Sequence, residues 1–143
     1  MHSFVEVVSY CLTYVHSKNI YHRDIATNNI LIFHYEDGTF VAKISDFGLV
    51  KIPNSNITSL YTEIKGSFND KSDLERVGFE NYSMCHEIYA LTKLVYFVMT
   101  GRRQYKKDNA SIDQFFTRGT DADTKKRYKD VGDLEKAFEN TAW

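Results

Sequence analysis

Two short polar stretches carry the residues of this chain whose types could do chemistry. The first, YHRDIATNNILI at residues 21–32, sets His22, Arg23, Asp24 and Asn29 in front of an apolar run. The second is Ser45-Asp46-Phe47-Gly48. Carboxylate and carboxamide oxygens of this kind handle protons and hard cations. Taken singly, each stretch also reads as a polar turn beside a strand. What separates the two readings is whether the flanking elements bring the stretches together.

The flanking pattern does so. Ser3-Phe-Val-Glu6 reads as a capping box, and Phe4, Val7, Val8, Cys11, Leu12 and Val15 recur at helical spacing to about Ser17. Asn19 is a plausible helix stop, which leaves the first polar stretch in a loop. From Ile30 the pattern becomes two strands, about 30–36 and 39–45, joined at Asp37-Gly38. Asp-Gly between apolar β-formers is a strong hairpin signal. An antiparallel hairpin brings its open ends together, so both polar loops fall on one side of the sheet.

The rest of the chain supplies a frame. Residues 50–70 read as a long loop, dense in Ser, Thr and Asn and holding Pro53; such a loop in a compact domain is usually functional or mobile. Residues 83–100 predict a helix capped by Ser83 and stopped by Gly101. Its apolar residues run round nearly every side, the mark of a buried central helix. A short helix near Ser111–Phe116 and a last one near Val131–Phe138 follow, the latter facing the core with Val131, Leu134 and Phe138. The fold class expected is α+β and mainly helical, with a small hairpin carrying the site, in one domain spanning 1–143.

Composition narrows the partners. Hydrophobic residues make up 43% and charged residues 26%, which is a globular rather than a disordered balance. A formal net charge of −1 gives no overall drive toward nucleic acid or an anionic membrane. Cys11 and Cys85 form no CxxC pair or metal-spaced cluster, so both are expected as reduced, partly buried thiols. The N-terminus lacks a signal-peptide pattern, and the apolar stretch Ile88–Met99 is too short and polar to span a membrane. These features together suggest a cytoplasmic setting. The clusters Arg102-Arg103 with Lys106-Lys107, and Lys125-Lys126-Arg127, read first as solvated faces and second as docking points for a partner.

His22-Arg23-Asp24, Asn29 and Asp46-Phe47-Gly48, in this order around a hairpin, resemble the catalytic half of a protein kinase. The resemblance implies ATP- and magnesium-dependent transfer of a phosphoryl group to a hydroxyl of a protein substrate. Asp24 would orient that hydroxyl or accept its proton, and Asn29 and Asp46 would hold Mg²⁺ and so position ATP. His22 would pack beneath the loop, Phe47 in the core, and Gly48 would permit the turn. "TSLYTEIKGSF" stands where the family has its activation segment, so Ser55, Thr58, Ser59, Tyr61 and Thr62 are candidate phosphorylation sites and Arg23 is the type of residue that pairs with such a phosphate. Glu75 and Arg127 occupy the places of a buried ion pair. Glu87 replaces the aspartate of the family's central helix, with Thr92 near the usual glycine. It would either brace the catalytic loop or sit exposed in the first helical turn, complementing the dipole.

The chain also departs from the pattern. Ala26 and Asn28 stand where kinases of the serine/threonine and tyrosine types place a phosphate-steering cation; "DIATNN" looks closer to the tyrosine type, yet holds no cation. No glycine-rich loop and no strand lysine precede the first helix, so the match is to a C-terminal lobe whose N-terminal lobe is missing. Two functions stand: part of a kinase, needing that other lobe, and a pseudokinase-like binding or scaffold module.

Overall fold

The computed structural model describes residues 2–47 and 68–143. Helix α1 (His2–His16) leads through the catalytic-type loop and a 3₁₀ turn, Thr27–Asn29, into strands β1 (Ile30–His34) and β2 (Phe40–Ile44). Then come α2 (Lys71–Val77), α3 (Met84–Thr100), α4 (Ala110–Gly119) and α5 (Val131–Glu139). Gly48, the candidate phosphorylation sites and most of the predicted 50–70 loop lie outside the described residues.

The hairpin forms as its turn chemistry dictates. Gly38 takes φ 82°, a left-handed conformation that favours glycine. The antiparallel register pairs Ile30 with Ile44 and His34 with Phe40. This register sets Asn29 and Ser45 side by side at the open end, where the Ser45 N–H donates to Asn29 O at 2.8 Å.

Helix α3 is the spine. Gly101 ends it at φ 72°, and Ile88, Ala90, Leu91, Leu94, Val95 and Tyr96 are all buried along it. At its start the Ser83 N–H donates to His86 Nδ1 at 3.0 Å, satisfying a donor that the first turn cannot. Helices α4 and α5 pack on α3, and α1 packs on α5 and β2. One core joins Phe4, Val8 and Leu12 to Leu91, Phe115, Leu134 and Phe138. A second small cluster, Leu74, Phe79 and Tyr82, lies beneath Tyr21.

Two expectations need correction, and one helix was not expected. The buried stripe of α1 is Phe4, Val5, Val8 and Leu12, whereas Val7 is 38% exposed and Cys11 is exposed; the helix is rotated so that its neighbours α5 and β2 take the adjacent face. Helix α2 falls where the sequence raises no expectation, because seven residues with one buried apolar side chain, Leu74, leave almost no periodic trace. And α4 runs to Gly119, three residues past its expected end. Among the described residues no helix is long and apolar enough to cross a membrane.

Candidate functional site

The loop at His22–Asn29 is held from four directions. His22 is fully buried: its Nε2 lies 2.9 Å from Ser45 O, and its Nδ1 accepts the Asp24 N–H at 3.3 Å. This pattern assigns the proton to Nε2, and it ties the loop bearing Asp24 to the one bearing Asp46. Asn29 donates from Nδ2 to Asp24 O at 2.8 Å and to Asp24 Oδ2 at 3.0 Å. Asn69, which the sequence did not single out, donates from Nδ2 to Arg23 O at 2.9 Å.

From α3, Glu87 supplies the fourth hold. It is 0% exposed, which excludes the exposed first-turn alternative. Its Oε1 accepts the His22 N–H at 2.6 Å and its Oε2 the Arg23 N–H at 3.2 Å. The Tyr82 hydroxyl donates to Oε2 at 2.7 Å, and His16 Nε2 lies 3.2 Å from Oε1. Burial pushes the Glu87 carboxyl up, but the His16 contact, the His22 N–H and the Tyr82 hydroxyl outweigh it and hold the group below its ordinary value. The same carboxylate pushes the Tyr82 hydroxyl further up, adding to its burial.

Two of the site's residues sit in left-handed backbone that non-glycine residues seldom adopt: Arg23 at φ 69° and Asp46 at φ 61°. Such conformations persist where surrounding structure over-determines them. For Arg23 the determinants are visible: Glu87 holds its N–H and Asn69 its carbonyl. Its guanidinium is turned inward, 4.0 Å from the Phe79 ring centre, with Nη2 donating to Phe79 O at 2.8 Å.

Other candidates fall differently. Arg127 does not pair with Glu75, which is exposed on α2. Its Nη2 meets Asp70 Oδ2 at 2.5 Å, and its Nε and Nη1 donate to Asp121 O and Cys85 O. Asp70 is in reach because its backbone precedes α2, where it also caps the helix by accepting the Asp73 N–H. The signal for it was present: an aspartate three residues before an N–H that needs a partner. Arg127 is thus buried rather than part of a solvated face, while Lys125 and Lys126 are exposed. Phe47 does not enter the core; it stays 41% exposed and touches the His22 ring with centres 4.6 Å apart. Thr92 instead packs against Gly119 of α4, where an added Cβ would overlap Thr92 Oγ1.

The donor set suits a hard cation. Asn29 and Asp46 offer amide and carboxylate oxygens at adjoining hairpin ends, the kind of sparse oxygen set with which Mg²⁺ is shared with phosphates. Among the described residues no cluster of three His, Cys, Asp or Glu side chains forms a self-sufficient metal site. Asp24 sits beside this pair, half-buried and hydrogen-bonded to Asn29. The hairpin register thus brings the backbone of Asn29 and Ser45, the neighbour of Asp46, beside the loop that bears Asp24.

Comparison with known proteins agrees in kind. A family model described as protein kinase domain matches residues 1–139. The MAP kinase kinase kinase mkh1 of Schizosaccharomyces pombe is 34% identical over 116 residues, covering 80% of this chain and 10% of that protein. The proline-rich receptor-like protein kinase PERK1 of Arabidopsis thaliana is 31% identical over 105 residues, 71% of this chain and 15% of that protein. The serine/threonine-protein kinase DCLK2 of Mus musculus is 30% identical over 105 residues, 73% of this chain and 13% of that protein. The chain thus spans only a small part of the length of the relatives it matches.

Proposed function

The chain belongs to the protein kinase family, and from that premise we propose that it supplies the C-terminal lobe of a working kinase domain, completed by an N-terminal lobe. It would direct the transfer of the terminal phosphoryl group of ATP to a hydroxyl of a protein. The observation that carries this reading is His22, bonded both to the carbonyl of Ser45, the neighbour of Asp46, and to the N–H of Asp24, whose carboxylate Asn29 bonds.

In this reading the substrate oxygen forms the new bond to phosphorus, the bond to the ADP oxygen breaks, and the hydroxyl proton passes to Asp24. Asn29 keeps Asp24 aimed by bonding its carboxylate, and His22 sets the height of the loop. Asn29 and Asp46 would hold Mg²⁺, which supplies charge neutralisation to the phosphates when bound. Glu87 acts as a positioning residue, fixing the main chain of His22 and Arg23. The acceptor is a serine or threonine hydroxyl; the serine/threonine-protein kinase DCLK2 among the relatives favours that choice, against the tyrosine-like lean of Ala26.

The test is phosphoryl transfer by this chain joined to an N-terminal kinase lobe. Wild type should label a mixed peptide pool, and Asp24→Asn should abolish labelling. No labelling by wild type with either Mg²⁺ or Mn²⁺ would sink the reading. A second reading, a binding module without catalysis, rests on Ala26 and Asn28, which leave the loop itself without a cation for the transferred phosphate. Under it, the joined protein would fold yet transfer nothing.

A further inference from the structure

The loop after α3 carries a cationic surface to the edge of the site. Residues 101–110 are all exposed and include Arg102, Arg103, Lys106 and Lys107. Their placement is fixed despite the exposure. The Lys106 N–H donates to the Tyr96 hydroxyl at 3.1 Å, and that hydroxyl lies 3.1 Å from Lys106 O. Tyr105 stacks on Phe116 with ring centres 4.7 Å apart and planes 11° from parallel. Arg102 is neutralised by Asp108 at 2.6 Å.

Arg103 points the other way, toward the catalytic-type loop. Its guanidinium lies 5.3 Å from the Phe97 ring centre, and its Nη2 is 3.5 Å from Thr27 Oγ1. Thr27 opens the 3₁₀ turn that ends on Asn29, so a cation stands on the shoulder of the turn that bears a site residue. Asn28, the next residue of that turn, is exposed and uncharged. Among the described residues, Arg103, Lys106 and Lys107 form no ion pair of their own. Asn29, at the end of the same turn, donates to the Asp24 carboxylate at 3.0 Å, so one short turn links the surface under Arg103 to the residue that would receive the hydroxyl proton.

We propose that Arg103, backed by Lys106 and Lys107, makes this site select acidic peptides, with glutamate or aspartate side chains flanking the target hydroxyl. The proposal rests on the kinase reading for the identity of the peptide as substrate. The chemistry is charge complementarity at an exposed edge. A carboxylate brought within a few ångströms of an exposed cation gains about fivefold in affinity at low ionic strength, and salt screens the gain. The chain's net charge of −1 would, by itself, slightly favour basic peptides. An acidic preference must therefore come from local placement.

The experiment uses two labelled peptides of equal length and the same central serine, flanked by glutamates or by lysines. Binding to the 143-residue chain is read by fluorescence anisotropy at low and high salt. The glutamate peptide should bind at least about fivefold more tightly at low salt, with the difference shrinking at high salt. Arg103→Glu should abolish or reverse the order, with circular dichroism confirming an unchanged fold. The double variant Lys125→Glu, Lys126→Glu changes net charge on the other basic cluster and should leave the preference in place. Equal binding of the two peptides, an order unmoved by Arg103→Glu, or an equal loss in the Lys125/Lys126 variant would each overturn the proposal. Transfer is read separately in the joined protein. Transfer without acidic preference sinks this proposal alone, and acidic preference without transfer sinks the kinase reading while leaving the peptide surface standing.

Discussion

Glu87 accepts the main-chain N–H of His22 at 2.6 Å, joining the first turn of α3 to a loop far upstream in the sequence. The neighbouring Arg23 N–H and the Tyr82 hydroxyl share the same carboxylate. Removing it strands several buried donors at once, each costing about 1–3 kcal/mol when unsatisfied. Glu87→Ala should therefore destabilise the chain by about 3–5 kcal/mol. Urea unfolding measures this, and a loss under about 1 kcal/mol would mean that water replaces the carboxylate.

The same group sets an acid limit. Its carboxyl is held below the ordinary value of 4.5 in the folded chain. A depressed folded pKa gives stability that is fully present above the unfolded value and is lost as pH falls through the folded one. Wild type should lose stability steeply from about pH 4.5 downward, and Glu87→Gln should lose less over that range. Urea midpoints of the two proteins across the acid range test the sign; parallel curves would remove Glu87 from the account.

Arg127 and Glu75 separate cleanly. Arg127→Ala leaves Asp70 buried without its cation and takes donors from Asp121 O and Cys85 O. The cost should be about 3–5 kcal/mol, seen as a lowered melting temperature. Glu75→Ala changes an exposed position and should stay within about 0.5 kcal/mol. Comparable losses in the two variants would restore Glu75 as a partner.

Gly119→Ala should destabilise by about 1–3 kcal/mol through overpacking, because the new methyl would overlap Thr92 Oγ1 and Cγ2. Adding Thr92→Gly removes the obstruction, so the pair should recover part of the loss. A double variant with the two single costs simply added would show that the contact is not the cause.

Local signals in the sequence make much of this legible. Asp37-Gly38 between apolar runs marked the hairpin, and with it the meeting of Asn29 and Ser45 at its open end. The all-round apolar helix between Ser83 and Gly101 announced its burial. Long-range polar partners were another matter. Arg127 could reach any acidic residue near its face, and periodicity does not distinguish Asp70 from Glu75. A glutamate in a first helical turn looks the same whether it meets solvent or two N–H groups from another loop. Arg23 looked poised for a phosphate, yet its contact with Phe79 depends on another 3₁₀ turn, Phe79–Asn81, which has no sequence period. On α1, Val5 and Val7 are equally apolar, and only the packing of α5 and β2 decided which was covered.

The span between His22 and Glu87 also has a temporal meaning. A growing chain exposes the loop first and its brace 65 residues later. At a synthesis rate of about 5–20 residues per second, the loop waits roughly 3–13 s for that carboxylate. Until then nothing from α3 restrains Arg23 at its left-handed φ. The residues that would perform the chemistry are thus made early and set late, so a stalled or cleaved chain ending before Glu87 would carry the motif without its shape.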